Sequence, residues 1–438
     1  MVERVLEAVL RQRGVTKADA MFRDTDRIEL KFEAGRLKEC VRGQEAGINL
    51  RIIQDGRVGL AGTTDLTGPD TAPDLIARAR ASAEQGERCD LALPSRQPAP
   101  EVRTFVAAAA AIGIDALAAL GRRVVEQLQR HGWQVNASVE RTVEATRIIS
   151  SAGQDISYRA TGVSVSADVT RVAGDDVLMA YDHAAEAGIP PDAELDRVVR
   201  SIVTRIERAE RVVPPPEGRL PVLFTPQGSE ALFQPLRQAL SGKTVLQGVS
   251  PLGGRLGETM FDAELSLTDE PLLDGRLGSR PADDEGVPSR RLPLVERGAL
   301  RAFVYDLETA ARAGTASTGH GRRTVFGKPS IAFSNLVVAA GAADEAALLA
   351  AVGDGLVVDE LIGVGQGNVI SGAFSHPVAL AYRVEQGEIT GRVKAAAVAG
   401  NSYDLLRRIR LIGQDARWIG GTRHVPPIVL EGVSVAGR

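Results

Sequence analysis

Residues Pro214, Pro215 and Pro216 stand in a row near the middle of the chain. Proline fixes φ at about −65° and lacks an N–H, so no helix continues through such a run, which favours an extended connector. The run therefore divides the 438 residues into two parts of similar size. A second connector, Leu91 to Pro100, holds three prolines of its own. Three units follow: 1–95, 101–213 and 217–438. A chain of this length has room for two or three domains and a large core.

Periodicity within the units predicts an α+β fold. In the first, a helix runs from Val2 to Arg13 with Val5, Leu6, Val9 and Leu10 on one face. Strands follow at Arg27–Phe32, Arg36–Val41, Gly47–Gln54 and Arg57–Gly62, with Asp55-Gly56 as a hairpin turn. A helix over Pro73–Glu87 completes an N-terminal region of α/β character with antiparallel strands. The second unit reads as a helix (Ile114–His131), a meander and a helix (Glu194–Glu210). The meander covers Gln134–Ala145, Thr146–Ser151, Asp155–Ser166 and Ala167–Ala173, with Gly153 and Gly174-Asp175 as breaks. The helix Glu194–Glu210 would bury Leu195, Val198, Val199, Ile202, Val203 and Ile206. The third reads as a mostly antiparallel β-sheet domain with peripheral helices. Its elements include a strand at Leu220–Thr225, a helix at Gly228–Leu240 and a hairpin about Gln386-Gly387. Asn401 caps a helix expected to reach Leu411.

Composition excludes several roles. With 44% hydrophobic and 25% charged residues, the chain is not of disordered type. The formal net charge is −4 and no Lys/Arg block stands out, which argues against a nucleic-acid partner. Cys40 and Cys89, the only cysteines, suit a reducing compartment. No apolar run approaches the roughly 20 residues a bilayer requires, and Met1–Gly14 is charged and amphipathic rather than a signal peptide. A cytoplasmic location without membrane contact is expected.

The most polar stretch runs from Arg280 to Arg323. It reads as an acidic loop with Asp283-Asp284-Glu285, a hairpin (Leu292–Val295 and Leu300–Tyr305), a helix (Asp306–Ala313) and a glycine- and hydroxyl-rich loop ending at Arg322-Arg323. Adjacent acids in a loop rarely converge on one ion. With Arg280, Arg290 and Arg291 close by, a structural ion-pair network is expected. Ser317 and Thr318 could donate to a peptide backbone or simply cap the loop. The five histidines, His131, His183, His320, His376 and His424, show no metal-ligand spacing. There is no nucleophile elbow and no Walker loop, and Gly365-Gln366-Gly367 lacks the third glycine of a dinucleotide cradle.

Ser279-Arg280-Pro281, Asp283 to Pro288 and Arg290-Arg291 together resemble the signature of the TldD/PmbA family. Ser317-Thr318-Gly319, Arg322-Arg323, Gly365-Gln366-Gly367 and Ala399-Gly400-Asn401 are similar to its later segments. The resemblance implies a two-chain cytosolic peptidase. One chain of that family, TldD, holds a zinc-type metal on a His-Glu-x-x-x-His helix with a late cysteine. The other, TldE or PmbA, lacks those ligands. Here Ser229 and Gln234 stand at the histidine positions, Glu230 keeps the glutamate, and no cysteine follows Gly413. The resemblance thus implies a metal-free subunit with no cofactor of its own. A TldD-like partner would carry the metal and act on unfolded or modified peptides. Arg280, Asp284, Glu285, Arg291, Ser317, Thr318, Gln366 and Asn401 are the residues expected to line the peptide cavity. Two alternatives remain at this level. One is a homodimeric metal-dependent hydrolase using Glu230 with His320 or His376; the other is a non-enzymatic interaction protein such as a gyrase modulator.

Overall fold

A computed structural model describes residues 2–174 and 176–437, so the expected break at Asp175 lies outside the described residues. The N-terminal part is built on one six-stranded antiparallel sheet. Its strands are β1 (Val15–Glu33), β2 (Arg36–Gln54), β3 (Arg57–Thr63), β4 (Gln134–Ser150), β5 (Asp155–Ala173) and β6 (Asp176–Glu186). Their order is β3-β2-β1-β4-β5-β6. Because β1 pairs with β4, the sheet passes through both units expected before the proline run. Helices α1 (Val2–Leu10), α2 (Thr71–Glu84), α3 (Ala107–Ala111), α4 (Ile114–Gln129) and α5 (Asp192–Arg208) accompany it. The predicted stripe of α5 is buried at Leu195, Val198, Val199, Ile202 and Ile206.

The strands are longer than expected. Ala18–Met21 are buried in the first third of β1, which the sequence reading left unassigned. Arg36–Val41 and Gly47–Gln54 belong to one 19-residue strand, β2. Gly43 and Gly47 do not break it: both lie inside the β1–β2 register, opposite Arg27 and Arg23. Asp55 and Gly56 take φ 50° and 75°, the left-handed pair that the two-residue turn between β2 and β3 requires. β3 pairs only with Ile48–Gln54 of β2. The earlier half of β2, Arg36–Glu45, is exposed.

The second part centres on a mixed sheet. Its principal strands run in the order Gly355–Leu361, Gly218–Phe224, Ile428–Gly437, Ala396–Asn401, Ala373–Glu385 and Glu388–Val393. A further pairing of Gly355–Leu361 with Ala373–Glu385 closes five of these strands into a ring, which removes two free edges. Val212–Val213, just before the prolines, pairs with Glu388–Val393 and ties the two parts together. Asn401 does cap a helix, its side chain accepting from the N–H groups of Tyr403 and Asp404, but that helix ends at Leu405. Ile409–Ile412 is instead a strand against Ile428–Gly437, because its apolar residues complete the sheet. Of the expected hairpin, the first strand forms over Leu292–Glu296, while the second, expected over Leu300–Tyr305, reduces to Ala299–Leu300.

Candidate functional site

The acidic loop, expected to form an ion-pair network, is buried. Asp283, Asp284 and Glu285 have no exposed surface. Burial of charge on that scale demands partners, and they come from the N-terminal sheet rather than from Arg290 or Arg291. Arg23 on β1 donates to Asp284 at 2.7 Å, and Arg51 on β2 to Glu285 at 2.5 Å. Arg51 also grips Asp19 on β1 through Nε and Nη2, at 2.8 and 3.1 Å. Arg323, itself buried, returns from the second part to Asp19 and to the Asn49 amide oxygen. The network is ionic, as expected, but it is the weld between the two parts of the molecule.

Its electrostatics follow from position. Burial alone would raise the Asp19 carboxyl, yet Arg323 and Arg51 hold it below the ordinary value. Asp284 is likewise kept low by Arg322, Arg23 and Arg280 against its burial. Asp283 goes the other way: burial and the neighbouring Glu285 charge push it up. No guanidinium reaches it; its oxygens accept from the backbone N–H groups of Glu285, Val287 and Gly321 at 3.0, 2.9 and 2.8 Å. Glu285 is also raised by burial, offset by Arg51.

The segment resembling a metal helix is α6 (Glu230–Ala239), which follows the strand Gly218–Phe224. Ser229 is buried and spends its hydroxyl on the Pro226 carbonyl at 2.7 Å. Glu230 accepts from Arg237 at 2.5 and 3.2 Å and from Arg423 at 3.3 Å. Gln234 lies under Gly365: an added Cβ there would sit 2.8 Å from its Nε2. These groups do not fit a zinc ion, which takes imidazole, thiolate or carboxylate donors. Around the one carboxylate are two guanidiniums, which cannot ligate. Among the described residues, no group of three or more His, Cys, Asp or Glu side chains is arranged to hold a metal.

The eight expected cavity residues do not converge. Asp284 and Glu285 belong to the weld. Arg291 is on the surface, paired with Glu270 at 2.6 Å. Ser317 and Thr318 both donate to the Tyr305 carbonyl at 3.1 Å, and so hold their own loop. Gln366 is exposed in the loop beside α6, and Asn401 is the helix cap. His320 is buried with Nε2 3.2 Å from Asp269, and His376 stacks on Phe374; neither is bonded to Glu230. Arg280 lines an interdomain cavity of about 370 Å³, between β4, β5 and the loops of the second part, and Ser317 lines a separate cavity of about 520 Å³ against the Leu91–Pro100 connector. Tyr158, Arg322 and Phe333 share the cavity with Arg280. Another cavity of about 480 Å³ lies between α5 and the mixed sheet, but its Arg197, Arg205 and Arg208 are matched by Asp182, Asp359 and Glu345.

The sequence reading missed Asp19, Arg23, Asn49 and Arg51. The signal was present: charged or amide residues punctuate apolar runs, as in Ile48-Asn49-Leu50-Arg51-Ile52. On a strand buried on both faces such residues must be paired.

Fold and sequence point to one group of proteins. Residues 217–437 match the PmbA/TldA metallopeptidase C-terminal domain, and residues 18–83 match the PmbA/TldA metallopeptidase domain 1. The chain belongs to the PmbA/TldD metallopeptidase family. A metalloprotease of Methanothermobacter thermautotrophicus is 25% identical over 393 residues, covering 87% of this chain and 85% of that protein. Metalloprotease PmbA of Escherichia coli O157:H7 is 31% identical over 197 residues, covering 45% of this chain and 41% of that protein. The crystal structure of TldE from Thermococcus kodakarensis is similar over 99% of both chains, with a TM-score of 0.90 and 24% identity. At that identity the likeness establishes the shared α+β fold.

Proposed function

We propose that this chain is the non-metallated, TldE-like subunit of a two-chain cytoplasmic peptidase, acting on unfolded or modified peptides with a TldD-like catalytic partner. One observation carries the reading: Glu230 is neutralised by Arg237 and Arg423 where a hydrolytic centre would need a metal. A carboxylate so held has no metal-bound water to deprotonate, and Ser229 is buried with its hydroxyl already engaged. The zinc-type metal is assigned to the partner, as the resemblance implies.

An association surface supports the two-chain reading. β6 is the edge strand of its sheet and presents Val177, Met179 and Tyr181, at alternate positions, to solvent. The outward carbonyls of Tyr181 and His183 are taken by Arg205 and Arg197 of α5, so it is the exposed apolar row, not a bare backbone edge, that invites a second chain. The TldD-like subunit is the occupant this reading assigns to it, and a homodimer is the competing outcome.

The test is reconstitution. The purified chain should contain no stoichiometric zinc and should not cleave peptides. Added to a TldD-like chain it should form a complex whose proteolysis a chelator abolishes. Peptide cleavage by the chain alone, with chelator present, would overturn the assignment. So would one equivalent of tightly held zinc.

A further inference from the structure

The interdomain cavity is lined by donors with unused hydrogen-bonding capacity. Arg280 is 4% exposed. Among the described residues its guanidinium makes only two hydrogen bonds, both from Nη2 and both long, at 3.4 Å to the Gly319 and Ala332 carbonyls. Its Nε is buried without a partner. No carboxylate of the described residues lies within salt-bridge distance of it. That contrasts with Arg51 and Arg323 a short way off, which are fully engaged. A buried guanidinium left in this state carries a large desolvation cost, which an anionic ligand would offset.

The other polar groups on the cavity agree in sign. The Tyr158 hydroxyl has no hydrogen-bond partner among the described residues, and burial pushes it up to about 12, so it remains a donor at neutral pH. Arg322 is half exposed and touches Asp284 only at 3.5 Å. The two carboxylates on the wall are each ion-paired: Glu140 with Arg27 at 2.7 Å, and Glu144 with Arg23 at 3.3 Å. Ser279 and Ser334 spend their hydroxyls on the Leu273 carbonyl and on Asp269. Apart from the Ser164 and Thr422 hydroxyls, which can donate or accept, the free capacity is thus donor capacity, and the walls around it, Leu277, Phe333 and Val163, are apolar. A volume of about 370 Å³ suits a small ligand rather than a folded partner.

We propose that this cavity binds a carboxylate carried on an apolar stem, the chemistry of a peptide C-terminus or of an N-acylated amino acid. Arg280 and Arg322 meet the carboxylate, Tyr158 donates a further hydrogen bond, and Leu277 and Phe333 cover the stem. A planar guanidinium matches a carboxylate in two parallel bonds, which sets this ligand apart from a neutral amide. The inference is independent of the two-chain reading, since every lining group belongs to this chain, and it is tested without a partner.

Isothermal titration of the full chain decides it, using three probes. These are the tripeptide Ala-Ala-Leu with a free C-terminus, the same tripeptide as its C-terminal amide, and N-acetyl-leucine. The free acid should bind with a Kd of about 1 mM or tighter, and the amide at least about tenfold more weakly. N-acetyl-leucine binding as well as the tripeptide assigns the site to small carboxylic acids; weaker binding assigns it to peptide ends; both support the carboxylate. Tyr158→Phe should weaken the acid about fivefold and leave the amide unchanged. Arg280→Gln should abolish the preference for acid over amide. Should Arg280→Gln unfold the chain, Tyr158→Phe, which removes one oxygen, still decides. Equal affinity for acid and amide overturns the proposal. No binding of the acid at about 10 mM does so too, as does wild-type affinity in Tyr158→Phe.

Discussion

Asp19→Ala removes the carboxylate that joins Arg51 to Arg323. Arg51 keeps Glu285, but Arg323 is left buried with the Asn49 amide oxygen as its remaining side-chain partner. Removing one member of a buried, hydrogen-bonded ion cluster costs about 3–5 kcal/mol, because the surviving charge cannot regain water. That is a large share of the roughly 5–15 kcal/mol by which domains are stable. The loss should appear as separation of the two parts as well as in overall stability, since Asp19 lies on β1 and Arg323 beyond the proline run. The molecule provides the reporters: its two tryptophans, Trp133 and Trp418, lie one in each part. Urea unfolding followed by fluorescence, in Trp133→Phe and Trp418→Phe backgrounds, reads each part alone. The substitution should lower the midpoints and pull them apart. The double variant Asp19→Ala/Arg323→Met, which leaves no orphaned charge at this point, should recover most of the loss, giving a coupling term of about 2 kcal/mol or more. A loss below about 1 kcal/mol, the size expected of a surface pair, refutes the reasoning. So does additivity of the two substitutions.

Other outcomes follow from the same interface. Asp19 and Asp284 are held below the ordinary carboxylate range, so their contribution is complete above about pH 4 and is lost as pH falls through the depressed values. Asp283 and Glu285 are raised, so theirs is complete below about pH 4 and is lost as pH climbs through the raised values. Urea midpoints against pH should therefore fall on both sides, and Asp283→Asn should flatten the loss on the neutral side; an unchanged slope there counts against the assignment. Gly62→Ala should destabilise the weld, since a Cβ would lie 1.9 Å from the Val325 carbonyl oxygen, whereas Gly43→Ala meets nothing within 4 Å and should be silent. Limited proteolysis at the proline connector distinguishes the two.

Much of the fold was written in local pattern. The Asp55-Gly56 turn, the apolar stripe of α5 and the Asn401 cap each depend on a few neighbouring residues, and each formed as their chemistry dictates. What escaped was set by distance along the chain. Asp284 and Arg23 are 261 residues apart, so no local rule links them. The acids around Asp283 were expected to pair with Arg280, Arg290 and Arg291 because those arginines are their neighbours in sequence. The burial of these acids is decided by β1 and β2, whose charged residues only make sense beside them. The same limit applies to the cavity: Arg280 was picked out from its motif, while Tyr158, on β5, stands in a run with no feature to mark it. That Ser229 and Gln234 offer a hydroxyl and an amide rather than imidazoles beside Glu230 was legible at once, because it depends on two positions five residues apart.

Among the described residues, the first half of β2 has no second neighbour, because β3 stops at the level of Ile48. Along Arg36–Glu45, alternate backbone amides are locked to β1 while those between them face water, so amide exchange there should run fast and slow by turns. Arg36, Lys38, Glu39, Arg42 and Glu45 supply the charges that keep such a bare rim from templating fibrils. At about 3.4 Å per residue this is a rim of roughly 30 Å along which the sheet stops growing at a single strand's width of charge.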